Sequence, residues 1–183
     1  MPNWCANFVQ ITHPDSERIQ ALAEAARKGR FCEHIIPVPA ELREHSAPEY
    51  DEARAEEFRT KYGYTDWYSF CVARWGTKWD VNPYESVEVQ KHYLSFGFDS
   101  AWSPPMGIYE ALLADGFTVD AMYYEPGMGF CGRWVDGHDD YYELSGMTAA
   151  SVAECIDPDI DQQFGIVENM EMWEEEQEEN ENE

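Results

Sequence analysis

The chain has no lysine or arginine after Arg133, although 50 of its 183 residues follow that position. Those residues include 17 Asp and Glu, so their net charge is −17. The first 133 residues hold all 12 Lys and Arg against 20 acidic residues, which gives −8 and a total of −25. A field of this sign repels phosphate backbones and anionic membranes and attracts cationic surfaces. The charge therefore disfavours direct binding of nucleic acid through a basic patch. It also disfavours binding to a membrane.

The sequence also lacks the cysteine spacing of a structural zinc site. Its five cysteines are scattered and none forms a CxxC pair, which excludes a zinc ribbon or finger. Their odd number favours reduced thiols that are buried as small apolar residues. The run Asp136-Gly-His138-Asp139-Asp140 lacks the spacing and the closing Glu of a calcium loop, and an acidic Asp-Gly turn explains it better than a cation site. We expect neither a metal nor another cofactor.

Long apolar runs and motifs of catalysis are absent as well. No run approaches the roughly 18 apolar residues of a membrane helix, and the start has no basic and apolar regions of a secretory signal. We therefore expect a cytoplasmic protein. No phosphate-binding glycine loop with its lysine, ordered Ser-His-Asp set or His-Glu-x-x-His motif occurs. Cys131 beside Arg133 is a candidate activated thiol, but the sequence places no histidine to serve as its base. We expect a binding protein rather than an enzyme, with no catalytic residue.

Apolar residues are abundant, and their spacing predicts a mixed α+β fold. Hydrophobic residues make up 44% of the chain and aromatic residues 15%, which is ample for a packed core. Partial alternation predicts a strand over 4–12, and an apolar face of helical period predicts a helix over 17–27. We interpret residues 31–78 as a partly helical insertion that covers one edge of the domain. Within it, 31–36 is a candidate strand, and helices are favoured within 48–62 and 66–75.

The second half of the chain alternates more clearly. Period-2 patterns and turn residues predict strands at 86–90, 93–102, 117–125, 128–134 and 141–144. Helical spacing predicts helices at 106–114 and 148–156. Two prolines suited to a first turn precede the first of them. Without the insertion, the first six elements follow the β-α-β, β-α-β order of a ferredoxin-like sandwich. In that fold, helices pack on one face of an antiparallel sheet.

The predicted organisation has three parts. Residues 1–145 form the ferredoxin-like α+β domain with its insertion, and residues 146–167 form a C-terminal helix and an acidic loop. Residues 168–183 form an acidic tail, in which nine of sixteen residues are Glu. Such a run is expected to be disordered or weakly helical, although Met170, Met172 and Trp173 add an apolar element to it.

Four local motifs resemble the YubB-like family of phage and conjugative-plasmid proteins, whose members carry a ferredoxin-like domain. The motifs are Met1-Pro2-Asn3-Trp4-Cys5-Ala6-Asn7, Trp75-Gly76-Thr77-Lys78-Trp79-Asp80, Ser100-Ala101-Trp102-Ser103-Pro104-Pro105 and Glu125-Pro-Gly-Met-Gly-Phe-Cys-Gly132. The resemblance covers roughly residues 1–145 and implies the fold and a mobile-element origin. The acidic extension after Gly146 lies outside the family pattern. The resemblance implies no activity for any named residue.

The tryptophan motifs allow two interpretations. In one, Trp75, Trp79 and Trp102 form an aromatic cleft with Lys78 and Asp80 on its polar rim, suited to a base, a sugar or a peptide. In the other, which is favoured, the same residues are turn and core elements whose Pro and Gly neighbours fix the chain path. Neither interpretation implies a reaction.

Two functions of different classes follow from these patterns. The leading hypothesis is a mobile-element accessory protein that acts by binding, as an acidic mimic of DNA that inhibits a cationic host nucleic-acid-binding or defence protein. An acidic tail that only confers solubility has the same composition. The alternative is a small-ligand-binding domain, or an enzyme of unknown type, that uses the aromatic cleft. The candidate acidic surface consists of Asp136, Asp139, Asp140, Glu143, Glu154, Asp157, Asp159, Asp161, Glu168 and Glu171.

Overall fold

A computed structural model describes residues 3–181, and all of its strands belong to one antiparallel sheet. The strands are β1 (Trp4–Thr12), β2 (Glu88–Gln90), β3 (Tyr93–Ala101), β4 (Thr118–Glu125), β5 (Phe130–Val135) and β6 (His138–Glu143). Their order across the sheet is β2-β3-β1-β4-β5-β6. The first four strands have the arrangement of a ferredoxin-like sandwich, and the hairpin β5–β6 extends the sheet beyond β4. The predicted α+β class is confirmed.

The helices begin and end where local sequence signals place them. Asp15 and Asp51 cap the starts of two helices, and Asp66 forms a capping box with Ser69 at a third. Gly76 ends that third helix in the left-handed conformation. The helices are α1 (Ser16–Arg27), α2 (Phe31–Ile35), α3 (Ala40–Arg43), α4 (Glu52–Tyr62), α5 (Trp67–Trp75), α6 (Met106–Ala114), α7 (Ala149–Cys155), α8 (Pro158–Phe164) and α9 (Ile166–Glu181).

The main core lies between one face of the sheet and the helices α1 and α6. Alternation along β1 directs Val9 and Ile11 to this face, where both are fully buried. Ile19 of α1 and Ile108 of α6 are buried in the same cluster, together with Phe96 of β3. The strand predicted over 4–12 and the helices predicted over 17–27 and 106–114 are therefore confirmed.

The segment predicted as a strand at 31–36 is the helix α2, so that prediction is wrong. The cause is a contact distant in sequence: the Asp80 carboxylate accepts hydrogen bonds from the backbone N–H groups of Cys32 and Glu33, both at 2.9 Å. These bonds satisfy the free N–H groups at the start of the helix. The insertion at 31–78 also adds to the core itself, since Leu42 and Phe58 are buried in the main cluster.

The opposite face of the sheet is covered over β4 and β5 by α7, α8 and α9. Cys131 of β5, Ile160 of α8 and Ile166 of α9 are buried in a second cluster, against which Met122 and Tyr124 of β4 pack. The helices predicted on one face are α1 and α6, and these three C-terminal helices add a layer on the other face. The acidic loop predicted within 146–167 contains the short helix α8, because Ile160 anchors this acidic segment on the sheet.

The acidic tail forms a helix as far as Glu181, and its first two turns are docked on the protein. Ile166 is buried, and Met170 packs against the second cluster. Glu174 accepts a hydrogen bond from the backbone N–H of Ala149 at 2.8 Å, which joins α9 to the start of α7. Beyond Glu174, the described side chains are exposed. Sequence composition predicts disorder or a weak helix here because it does not reveal these anchors.

Two truncations should separate the docked part of α9 from its exposed part. Removal of residues 175–183 should leave the free energy of unfolding unchanged or slightly higher, because the described side chains in that range are exposed and mostly of one charge. Removal of residues 166–183 should lower it by about 2–4 kcal/mol, because the contacts of Ile166 and Met170 are lost. Urea unfolding followed by circular dichroism measures both. Equal stability of the two truncated chains would contradict the docking of α9.

Candidate functional site

Four exposed aromatic rings form a row at one end of the sheet. The row consists of Trp4, Trp79, Trp102 and Tyr68, whose successive ring centroids are 6.0, 6.5 and 6.4 Å apart. The Lys78 ammonium lies over the Trp79 ring at 4.4 Å from its centroid, and 5.9 Å from that of Trp102. Such positions give favourable cation–π contacts. Trp79 and Trp102 are 40% and 36% exposed, so this part of the predicted cleft lies at the surface.

Backbone and hydroxyl contacts bring the two tryptophan motifs together. Thr77 Oγ1 accepts a hydrogen bond from the Ala101 N–H at 2.9 Å, and Ser103 Oγ donates to the Gly76 carbonyl at 2.7 Å. Trp102 has a φ of 68°, in the left-handed region that a bulky residue rarely adopts. Its N–H donates to the Asn3 carbonyl at 2.9 Å, which fixes the ring beside the start of β1.

Trp75 and Asp80 are structural residues and lie outside the aromatic row. Trp75 is 3% exposed, and its indole Nε1 donates to the Ile36 carbonyl at 2.9 Å. Asp80 caps α2, and burial raises the pKa of its carboxyl group even though backbone N–H groups stabilise the charge. The core interpretation of the motifs therefore describes these two residues, whereas Lys78, Trp79 and Trp102 are surface groups.

A cavity of about 280 Å³ opens between α2, α3 and α5, beside the aromatic row. Four of the five predicted cleft residues line it, and Trp102 does not. Its remaining walls come from residues that sequence analysis did not select, because they are distant in sequence and belong to no motif. They include Arg30, Glu33, Val38, Arg43, Trp67 and Cys71.

The predicted acidic residues of β6 and its preceding turn are divided between the two faces of the sheet. Asp139 lies opposite Trp134 and Asp140 opposite Arg133, so their side chains point to different faces. Asp139 accepts a hydrogen bond from the Tyr123 hydroxyl at 2.7 Å. Glu143 lies on the same face of the sheet as Asp139. The preceding turn is also engaged, since the Asp136 carboxylate accepts from the Val119 N–H at 2.9 Å. These residues do not form one continuous patch.

Arg133 holds the first acidic turn of the C-terminal segment on the sheet. Its guanidinium donates to the Asp120 carboxylate from Nε and Nη2, at 2.9 and 2.7 Å. From Nη1 it donates to Asp157 and Asp159, both at 3.1 Å. The hydrogen bonds to Asp120, above all, raise the pKa of Arg133. Arg133 therefore engages Asp157 and Asp159 of the candidate acidic surface within the molecule, and Asp120 is a partner that the sequence pattern did not indicate.

The remaining candidates lie on the C-terminal helices. Asp161 accepts a hydrogen bond from the Val167 N–H at 2.8 Å, at the start of α9. Glu154 is exposed on α7. We use the term acidic helix surface for the glutamates of α9 whose side chains the structure describes as exposed, three of which were not selected from the sequence. They are Glu168, Glu171, Glu175, Glu176 and Glu179, and Met172 and Trp173 lie among them, 58% and 61% exposed.

Cys131 is not an activated thiol in this structure. It is fully buried, and burial raises its pKa to about 12, so the thiol is protonated and unreactive at neutral pH.

The run at 136–140 is dispersed over the turn and both faces of β6. Among residues 3–181, no three His, Cys, Asp or Glu side chains converge to hold a metal ion. In the same range no helix is both long and apolar enough to cross a membrane.

Comparisons with known proteins give no family. No family model matches the chain, and no curated protein matches it. Among solved structures, the chain is similar to the crystal structure of a protein api92 from Yersinia pseudotuberculosis, assigned to family DUF1281. The identity is 11% and the TM-score 0.39, over 80% of this chain and 99% of the other. A similarity of this size supports neither a family nor a function.

Substitution of Trp75 and of Trp102, one at a time, should show by the loss of stability which residue belongs to the core and which to the surface. Trp75→Ala should lower the free energy of unfolding by about 3–5 kcal/mol, because it empties a buried site. Trp102→Gly should cost less, about 1–2 kcal/mol, because part of the ring is exposed and glycine adopts the left-handed conformation without strain. Urea unfolding followed by circular dichroism gives both values. A loss as large for Trp102→Gly as for Trp75→Ala would place the Trp102 ring in the core.

Proposed function

We propose that the protein is a cytoplasmic accessory protein of a mobile element that acts by binding a cationic, nucleic-acid-binding host protein as a mimic of DNA. The main support is the acidic helix surface. The helix α9 has eight Glu among its 16 residues and no Lys or Arg. At 1.5 Å per residue, that is about one negative charge per 3 Å of axis, close to the charge spacing of about 3.4 Å along one strand of B-DNA.

The described glutamates of α9 are not neutralised by Lys or Arg of the same molecule. Elsewhere, acidic side chains pair with cations, as Asp115 does with Arg18 and Glu41 with Lys61. Of the described side chains on α9, none forms an ion pair with Lys or Arg. Unpaired surface charges act on an approaching partner over roughly a Debye length, about 8 Å at physiological ionic strength. The field of α9 is therefore directed outward, toward a cationic partner.

An exposed tryptophan distinguishes α9 from a tail that only confers solubility. Trp173 and Met172 are exposed among the glutamates, whereas a solubilising surface has few such residues. Tryptophan is enriched among the residues that contribute most to binding at protein interfaces. In the proposed complex, the glutamates attract the partner and Trp173 provides a short-range apolar contact.

The kind of partner follows from charge and from the resemblance to mobile-element proteins. A groove that binds DNA is lined with Lys and Arg, so a helix with the charge spacing of a DNA strand competes for it. Phages and plasmids are exposed to host nucleases. A host nuclease with a cationic groove is therefore a fitting target of the proposed inhibitor. The same field that attracts this partner repels nucleic acid and anionic membranes, so we expect the protein itself to bind neither.

A competition experiment with a defined probe tests the proposal. A bacterial histone-like protein bound to fluorescein-labelled duplex DNA should release the DNA when this protein is added, as measured by fluorescence anisotropy. The apparent affinity should fall as the salt concentration rises, because exposed charges carry the interaction. Substitution of Gln for the five glutamates of the acidic helix surface should weaken the competition about tenfold or more.

A matched variant separates this surface from net charge alone. It carries Gln at five exposed glutamates outside the C-terminal segment, so its charge change is the same and only the position differs. Equal weakening by both variants, or no displacement even at low salt, would contradict the proposal. So would binding of the free duplex by this protein. The five control positions are Glu44, Glu57, Glu85, Glu88 and Glu110.

A further inference from the structure

The cavity of about 280 Å³ differs in charge from the rest of the molecule. Three of its lining side chains are cations, in a protein with 37 acidic and 12 basic residues. Of these, Arg43 forms an ion pair with Glu33, an acidic residue of the same cavity. Arg30 and Lys78 form no ion pair with any residue in the described range. Two cations thus remain available to a ligand.

The other acidic residue of the cavity, Asp80, forms no ion pair with Arg30 or Lys78. The Asp80 carboxylate accepts hydrogen bonds from three backbone N–H groups, those of Cys32, Glu33 and Val81, each at 2.9 Å. Hydrogen bonds of this kind satisfy a carboxylate locally and orient it toward the backbone. Within residues 3–181 only five of the 12 Lys and Arg are outside ion pairs, and two of the five line this cavity. Those five are Arg27, Arg30, Arg74, Lys78 and Lys91.

The interior of the cavity is apolar. Val38, Trp67 and Trp75 line it together with Cys71, and burial raises the pKa of the Cys71 thiol to about 12, so this group is neutral. Trp79 contributes the wall toward the aromatic row. The volume is near the lower end of the roughly 300–1,000 Å³ of small-molecule sites. A molecule of up to about three aromatic rings matches this size.

We propose that this cavity binds a small organic anion that carries a flat apolar ring. The ring would lie on the tryptophan-lined interior, and the anionic group would accept charge-assisted hydrogen bonds from Arg30 and Lys78. An inorganic anion would leave the apolar walls without a contact. A neutral ring would leave both cations without a partner. No residue of α7, α8 or α9 lines the cavity. The proposal for this site can therefore be tested independently of the proposal for the acidic helix surface.

Binding of a fluorescent probe tests the site. The probe is 1-anilinonaphthalene-8-sulfonate, which combines an anionic group with aromatic rings, and its neutral counterpart is N-phenyl-1-naphthylamine. The sulfonate should bind at one saturable site, more tightly than the neutral compound, in spite of the net charge of −25. Arg30→Gln and Lys78→Gln should each weaken its binding about fivefold or more. Arg74→Gln removes the same charge from an exposed position on α5 that does not line the cavity, and should change the affinity less than twofold.

The position of the probe is checked by nuclear magnetic resonance of the tryptophan indole groups. The signals of Trp67 and Trp79 should shift as the probe binds, and the signal of Trp173 should not. Absence of saturable binding, equal affinity for the neutral compound, or equal weakening by Arg74→Gln would each overturn the proposal. A shift confined to Trp173 would also overturn it, because the probe would then bind at α9. Circular dichroism of each variant ensures that the fold is retained.

Discussion

The structure depends on the need to bury both faces of the extended sheet. One face of β4 and β5 contributes to the main core, and the other carries Met122, Tyr124 and Cys131. The chain that covers this second face is also its most acidic part, with a net charge of −17 after Arg133. Apolar anchors such as Ile160 and Ile166 provide the burial, and Arg133 links Asp157 and Asp159 to the sheet. The glutamates of the acidic helix surface are left on the outside, which makes the exposed side of the C-terminal layer acidic.

Local sequence signals were sufficient where neighbouring residues determine the structure. The strand at β1 and the helices α1 and α6 follow from alternation, helical spacing and the Asp15 cap. The helix α2 was missed because its N-terminus is capped by Asp80, 48 residues from Cys32. The helix α8 was missed because its single fully buried residue, Ile160, stands among acidic residues whose composition resembles that of a loop. Contacts distant in sequence decided both cases.

The same distinction applies to the candidate sites. The sequence indicated Trp79, Trp102 and Lys78 as a group, and hydrogen bonds between the two motif loops place them together. It did not indicate Arg30 or Arg43, because nothing in the sequence shows that the turn after α1 and the end of α3 meet α5. For the acidic surface, composition alone could not separate carboxylates with partners, such as Asp157, from exposed ones on α9. In the folded chain, one part of the acidic segment is anchored to the sheet and the other part is exposed on α9.

The central claim is that the acidic segment forms an ordered layer on the second face of the sheet and displays α9 from it. Amide hydrogen exchange of the wild-type protein and of Arg133→Met measures this directly. In the wild type, the amides of α7 and α8 should be protected to an extent similar to those of β5. In Arg133→Met, protection should fall in α8 while β1 and β3 keep theirs. Exchange of α7, α8 and α9 at the rate of an unfolded chain in the wild-type protein would contradict the account.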